Sequence, residues 1–398
     1  EAEAIKQVAE AKAEECKPTL IIVHTNIAEG TPKQGSASSH GSPLGEENIA
    51  IYKKSLGWEY PEFTVPDEVC AHMKEIGAKL ENEYSRYAKM LEAYAKDYPE
   101  LYSELTRREA KELPESINDP AIWDFDPEAK LATRKTSETI LSRLTERMPE
   151  LIGGSADLGP SNLTYMNAFG DFAKGSYDGR NFRFGIREFA MAAFCNGMAL
   201  YGGISPYCAT FLVFVDYLKP ALRLSALMGL RVLYVMTHDS IGVGEDGPTH
   251  EPVEQLAMLR AQPNVNVFRP ADATETAAGW LLAVTSKETP TALALSRQNL
   301  PQLPGSGKDA LKGAYIVSPS GKEMPDAILI ASGSEVSLAI DTQALLKAEG
   351  VDVRVVSMPC MELFEAQDAA YREKILPKKI RARVAVEICE DLWVPAPP

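Results

Sequence analysis

From about residue 130 onward, short apolar runs alternate with helical patterns, and no other feature limits the possible folds of this chain so strongly. Runs suited to strands recur at Leu151–Gly153, Phe182–Phe184, Ser205–Ala209, Arg231–Met236, Val265–Phe268 and Ala292–Leu295. Helical patterns begin near Arg134, Arg187, Phe211, Glu251 and Ala273, and Gly202-Gly203 closes the one that starts at Arg187. Strands separated by helices cannot pair as tight hairpins, because each crossover returns the chain in the same direction. The pattern therefore predicts an α/β fold with a doubly wound parallel sheet covered by helices on both faces. Beyond the Gly305–Lys308 linker, runs at Ala327–Ile330, Val353–Ser357 and Val384–Val386 predict a smaller α/β domain of three strands, cut short at Pro398.

The first 129 residues read differently. A helix with apolar positions Ile5, Val8, Ala9 and Ala13 leads into the apolar run Thr19–His24, which reads as a strand and as the last half of a βαβ unit. A Gly- and Ser-rich loop spans Gly30–Gly45. Val69, Met73, Ile76, Leu80, Tyr84, Tyr87, Leu91 and Tyr94 then recur at spacings of three and four, which predicts a long amphipathic helix acting as an arm between domains. Pro114, Pro120 and Pro127 punctuate the loop that follows. The expected organisation is a domain tail over 1–45, a helical linker over 46–129, the main α/β domain over 130–304 and the smaller, truncated one over 309–398. The absence of an initiating Met makes a start within a longer protein the expectation.

Composition narrows the partners. With 41 Lys and Arg against 56 Asp and Glu, the formal charge of −15 argues against broad nucleic-acid or anionic-membrane binding, so an anionic substrate requires locally placed cations. The longest apolar runs fall well short of the ~20 residues of a spanning helix. Six cysteines form no Cys-x-x-Cys pair and five histidines add no zinc spacing, which fits free thiols in a reducing compartment.

In open α/β sheets, ligands bind beyond the carboxyl ends of the strands. Those ends are polar here: Ser155-Ala-Asp157-Leu158-Gly-Pro-Ser161-Asn162, Gly185-Ile-Arg187-Glu188, Thr210-Phe211, His238-Asp239-Ser240 and Ser296-Arg297-Gln298. Glu188 opens an almost wholly apolar helix, where it is either a first-turn carboxylate favoured by the dipole or a proton-holding group in an apolar pocket. Phe211, Phe214 and Tyr217, at i, i+3 and i+6, make either a core stripe or a ring-stacking platform. The Gly- and Pro-rich turn that carries Asp246 and His250 has no evident packing role.

Several of these segments, taken in order, resemble the motifs of the transketolase family. They are His40-Gly-Ser-Pro-Leu-Gly, Arg134-Lys-Thr-Ser, Gly153-Gly-Ser-Ala-Asp157-Leu-Gly-Pro-Ser161-Asn, Phe184-Gly-Ile-Arg-Glu188, Thr210-Phe211-Leu-Val-Phe214-Val-Asp-Tyr217, the run from His238 through Asp246 to His250, and Ser296-Arg297-Gln. The resemblance implies a thiamine-diphosphate-binding fold and transfer of a two-carbon ketol unit from a ketose phosphate to an aldose phosphate, as in the pentose phosphate pathway or Calvin cycle. It implies that Glu188 bonds the aminopyrimidine ring of the cofactor, that Phe211, Phe214 and Tyr217 cradle that ring, and that Asp157 and Leu158 line it. By the same carry-over, His250 and His40 act near the donor's reacting groups and Asp246 recognises a substrate hydroxyl. Arg134, Ser161, His238 and Arg297 form a phosphate clamp.

The family holds the diphosphate and a divalent metal, Mg or Ca, through a Gly-Asp-Gly motif followed by Asn, and no such motif occurs in this context here. Phe189 also stands where a histidine is common, and Glu251 where Gln is common. The expectation is that most of the N-terminal diphosphate-binding domain is missing and that no residue of this chain ligates metal. The chain would then work as a homodimer or beside a separate diphosphate-binding domain, in the cytoplasm or a plastid, with no nucleic acid and no membrane. Dihydroxyacetone synthase, and a truncated, catalytically silent subunit, are the alternatives.

Overall fold

The structure is a computed structural model that describes residues 2–388. The chain divides into two compact units, Glu1–Lys96 and Asp97–Pro398. The first contains helices α1 (Ala2–Ala13) and α2 (Glu46–Ser55) and the body of α3 (Asp67–Asp97), the long helix expected from its apolar spacing. The expected strand at Thr19–His24 does not form. Residues 18–26 carry no secondary structure, and Leu20 and Ile22 are 84% and 71% exposed. A strand exists only where a neighbour supplies backbone donors and acceptors, and no described residue pairs with this run.

The second unit opens with α4 (Pro99–Glu109), whose proline occupies the first turn, where a missing N–H costs nothing. A short antiparallel pair, β1 (Lys130–Leu131) and β8 (Leu300–Pro301), joins the two ends of the main domain. Between them lie α5 (Thr133–Arg147), β2 (Leu151–Ser155), α6 (Gly159–Asn162), β3 (Asn181–Arg183), α7 (Glu188–Tyr201), β4 (Ser205–Phe211), α8 (Val215–Leu227), β5 (Leu233–Thr237), α9 (Gln255–Arg260), β6 (Asn266–Phe268), α10 (Ala273–Thr285) and β7 (Thr291–Leu295). The six main strands form one sheet in the order β3-β2-β4-β5-β7-β6, and every pairing in it is parallel.

Burial on both faces follows from the period of two along each strand. On β5, Leu233 and Val235 join a core with Ile140 and Leu144 of α5 and Trp280 of α10, while Tyr234 and Met236 join the opposite core with Met191 of α7 and Leu222 of α8. All six strands expected from sequence are present within two residues.

Two helix starts differ from expectation. Phe211 still belongs to β4 and caps a 3-10 turn over Leu212–Phe214, so α8 begins only at Val215. The segment after Glu251 stays irregular until Gln255, because Pro252 disfavours the helical backbone conformation at Glu251 before it.

The smaller domain contains β9 (Tyr315–Ser318), β10 (Ala327–Ala331), α11 (Glu335–Ala348), β11 (Val353–Ser357), α12 (Met361–Glu365), α13 (Ala369–Ile375) and β12 (Arg383–Val386), with sheet order β12-β10-β11-β9. The expected three strands are thus four among the described residues. The fourth, β9, is four residues long and pairs antiparallel with β11, outside the βαβ rhythm that revealed the others.

Candidate functional site

The carboxyl ends of β2, β4, β5 and β7 and the first turns of α5 and α7 meet at one edge of the six-stranded sheet. Directly beneath, a buried hydrogen-bond chain ties three of these elements together. The Thr237 hydroxyl donates to Asn162 Oδ1 (2.9 Å), the Asn162 amide donates to Ser155 Oγ (2.6 Å), and Ser155 Oγ donates to the Ala209 carbonyl (3.2 Å). All of these side chains are buried, and satisfied polar networks of this kind hold a strand end in one geometry.

On this floor the charged groups converge. Arg134, at the start of α5, donates from Nη1 to the Ser161 carbonyl at 2.6 Å. Burial lowers the pKa of its guanidinium, the neighbouring Arg297 lowers it further, and Asp246 opposes both. Arg297, after β7, pairs with Glu245. His238, after β5, is 3% exposed, and its pKa is pushed down to about 3 by burial, then by Arg134 and Arg297, then by His250. The imidazole is therefore neutral at physiological pH and can donate from one nitrogen without adding charge.

The aromatic residues flank the same place. Phe211 and Phe214 are stacked with centroids 6.1 Å apart and planes 11° from parallel. His238 packs at 4.3 Å from Phe211, and the His250 ring meets Phe211 and Phe214 edge-on at 5.7 and 5.4 Å. Of the two readings of the aromatic stripe, Phe211 is buried, whereas Tyr217 is 64% exposed, 6.1 Å from Phe214. Thr249 Oγ1 lies 2.9 Å from His250 Nδ1 and so restrains that ring. Glu188 is the first residue of α7 and is 9% exposed, and its carboxyl takes no hydrogen bond from any described residue. Asp157 is exposed and Leu158 half-buried in the turn after β2, beside a cavity of about 320 Å³ lined also by Thr164, Tyr165 and Arg183.

Among the described residues, three buried polar atoms at these strand ends have no hydrogen-bond partner: Thr210 Oγ1 near the end of β4, His238 Nδ1 after β5 and Gln298 Oε1 after β7. Leaving such atoms unpaired costs ~1–3 kcal/mol each, so this edge offers three buried polar atoms free to take a partner.

The structure thus groups Arg134, Ser161, His238, Asp246, His250, Arg297, Phe211 and Phe214 through direct contacts or electrostatic coupling. His40 belongs to the first unit, exposed in the turn after a 3-10 helix over Ala37–Ser39. Sequence reasoning missed the Ser155–Asn162–Thr237 chain and the Glu245 partner of Arg297. The first is a long-range hydrogen-bond network without a local signal, although Ser155 and Asn162 lay inside a motif already singled out.

Among the described residues no group of three or more His, Cys, Asp or Glu could hold a metal ion, and no helix is long and apolar enough to cross a membrane. Cys16, Cys70, Cys195, Cys208 and Cys360 are all free thiols. The stacked Phe pair and the unpartnered Glu188 carboxyl suit the aminopyrimidine half of thiamine diphosphate.

Three family models match along the chain. The model for the transketolase pyrimidine binding domain matches residues 129–302, that for the transketolase-like C-terminal domain matches 313–394, and that for the transketolase thiamine diphosphate binding domain matches 1–114. The last match corrects the expectation that most of the diphosphate-binding domain is missing. Most of the segment expected to be a mere linker belongs to that model, so the metal has no assignment to an absent domain. The chain is 50% identical over 392 residues to transketolase from Bacillus subtilis and 48% identical over 388 residues to chloroplastic transketolase-1 from Arabidopsis thaliana, each match covering 96% of this chain. It superposes on transketolase from Leishmania mexicana with a TM-score of 0.91 at 44% identity, covering 97% of this chain and 57% of that one. It spans 58% and 52% of the lengths of the two curated relatives. With three family models along its length and close identity to these relatives, the chain belongs to the transketolase family.

Proposed function

We propose that this chain supplies the pyrimidine-binding and substrate-phosphate half of a transketolase active site. In this reading 130–304 is the pyrimidine-binding domain, and the protein moves a two-carbon ketol unit between sugar phosphates. The observation that supports it most is the pair of arginines closing on a neutral, buried imidazole whose Nδ1 lacks a partner. Arg134 and Arg297 offer charge-assisted donors to a phosphate, and His238 adds a neutral one. This answers the need of a chain of charge −15 for local cations.

Thiamine diphosphate, when bound, supplies the carbanion-stabilising chemistry. Phe211 and Phe214 would hold its aminopyrimidine ring, with Tyr217, Asp157 and Leu158 beside them, and Glu188, buried at a helix N-terminus, would share a proton with that ring. His250, braced by Thr249 and two phenyl rings, stands where it can donate to or accept from a donor hydroxyl, with His40 as its counterpart, and Asp246 accepts a hydrogen bond from a substrate hydroxyl.

Phe189, Phe194, Leu200, Leu224 and Leu227 are between 41% and 70% exposed on α7 and α8. Such a face supports pairing with a second copy, hence a homodimer, since monomers rarely leave large apolar patches open. The reducing compartment, cytoplasmic or plastid, accords with the free thiols.

The test is the donor dependence of ketol transfer by the protein that carries this chain. For Arg297→Ala and Arg134→Ala, loss of a charge-assisted bond worth ~1.5–3 kcal/mol should raise KM for phosphorylated donors roughly ten- to a hundredfold. KM for hydroxypyruvate should change little. Equal losses for both donors would overturn the phosphate reading.

A further inference from the structure

A buried carboxylate adjoins the residues read as a phosphate clamp. Asp239 directly follows His238, and a carboxylate beside a phosphate clamp repels its ligand. Asp239 is 2% exposed, and its Oδ2 accepts a hydrogen bond from Arg269 Nε at 2.9 Å, while the Ser240 hydroxyl lies 3.3 Å from Oδ1. Arg269 follows β6 and is completely buried. The rest of its fork belongs to the smaller domain: Nη1 donates to Glu335 and to the Ser332 carbonyl (3.1 Å) and lies 3.7 Å from Glu387, and Nη2 donates to Ser334 Oγ (3.3 Å).

The backbone repeats the link. Arg269 N donates to the Pro359 carbonyl (2.8 Å), and Gly333 N donates to the Arg269 carbonyl (3.1 Å). Gly333 has a φ of +55°, and a methyl group there would lie 2.6 Å from Arg269 Nε and Cζ, so the guanidinium fills the space a side chain would take. Burial disfavours the charged guanidinium, but Asp239, Glu387 and Glu335 outweigh it and raise its pKa, so the cation persists.

We propose that Arg269 is a positioning residue for the phosphate site: it holds the Asp239 carboxylate away from the clamp and thereby sets the His238 turn, and the smaller domain acts as the brace that orients Arg269. This rests on the phosphate reading of Arg134, Ser161, His238 and Arg297. Lysine at 269 keeps the charge but cannot reach Asp239, Ser334 and Glu335 in one plane. Asn at 239 removes the repelling charge and can still accept from Nε.

The experiment measures binding of inorganic phosphate to the full chain by calorimetry, with the His238 ring followed by NMR and folding checked by urea titration. The parent is expected to bind, and no phosphate binding by the folded parent would defeat the phosphate reading itself, separately from the role of Arg269. Given parent binding, Arg269→Lys should weaken it five- to thirtyfold and shift the His238 resonance. Asp239→Asn should bind within threefold of the parent or more tightly. Arg269→Met/Asp239→Asn/Glu335→Gln, which also neutralises the buried carboxylate that Arg269 otherwise pairs, should recover binding to within threefold even if Arg269→Met alone does not fold. A folded Arg269→Lys with parental affinity, or a triple variant as weak as Arg269→Lys, would overturn the proposal. A purely structural role would lower stability without this charge-dependent rescue.

Discussion

Gly153→Ala tests why the strand that ends at Ser155 carries two glycines just before it. In β2, Gly153 lies opposite Tyr207 of β4, and a methyl group on it would come within 2.1 Å of the Tyr207 carbonyl oxygen and 2.6 Å of its ring. An ordinary contact needs more than 3 Å, so something must move by about 1 Å between strands spaced only ~4.8 Å apart. The ring cannot yield: Tyr207 is fully buried and its hydroxyl donates to the Thr164 carbonyl at 2.7 Å. The backbone must therefore shift. Overpacking costs ~1–3 kcal/mol, and disturbing two ladder hydrogen bonds adds ~1 kcal/mol each, which gives about 3–5 kcal/mol of lost stability. Urea unfolding followed by tryptophan fluorescence measures it, because Trp280 lies in the same core as Tyr207. Gly159→Ala is the control: its new methyl would meet only Ser155 Cβ, at 3.9 Å, and should change stability by no more than ~0.5 kcal/mol. If Gly153→Ala unfolds within about 1 kcal/mol of the parent, the steric reasoning fails.

Two further predictions concern protons. Because His238 is pushed down to about 3, its ring resonances should not titrate between pH 8 and 5, and a midpoint near 6.5 would show that the buried, cation-flanked environment is wrong. Glu275, fully buried on α10, accepts hydrogen bonds from Tyr315 (2.8 Å), Ser357 and the Ala271 backbone, yet burial and then Asp272 push its carboxyl from 4.5 up to about 7. The folded state therefore holds a proton that the unfolded state releases at lower pH, and stability should fall as pH rises from 5 to 8. Glu275→Gln should remove that slope in urea titrations, and an unchanged slope would contradict the assignment.

The strand-and-helix rhythm of the main domain was readable in sequence because a parallel sheet covered on both faces leaves unbroken apolar runs, as at Leu233–Met236, with Gly and Pro at the joints. The polar strand ends were readable for the same reason: where a run stops, the residues that follow emerge together. The candidate site residues came instead from a resemblance to family motifs. What sequence could not supply was pairing. Thr19–His24 has the composition of a strand and no strand partner among the described residues, so its apolar side chains stay exposed, whereas the short β9 found a partner in β11 that no local pattern announced. Asp239 read as one more polar residue at a strand end, and only the fold shows it bound to Arg269, thirty residues away, and through that to Glu335 and Glu387. Periodicity reports whether a side chain is buried. Which buried charge faces which is decided by crossovers that bring distant residues together, and only the tertiary structure contains that information.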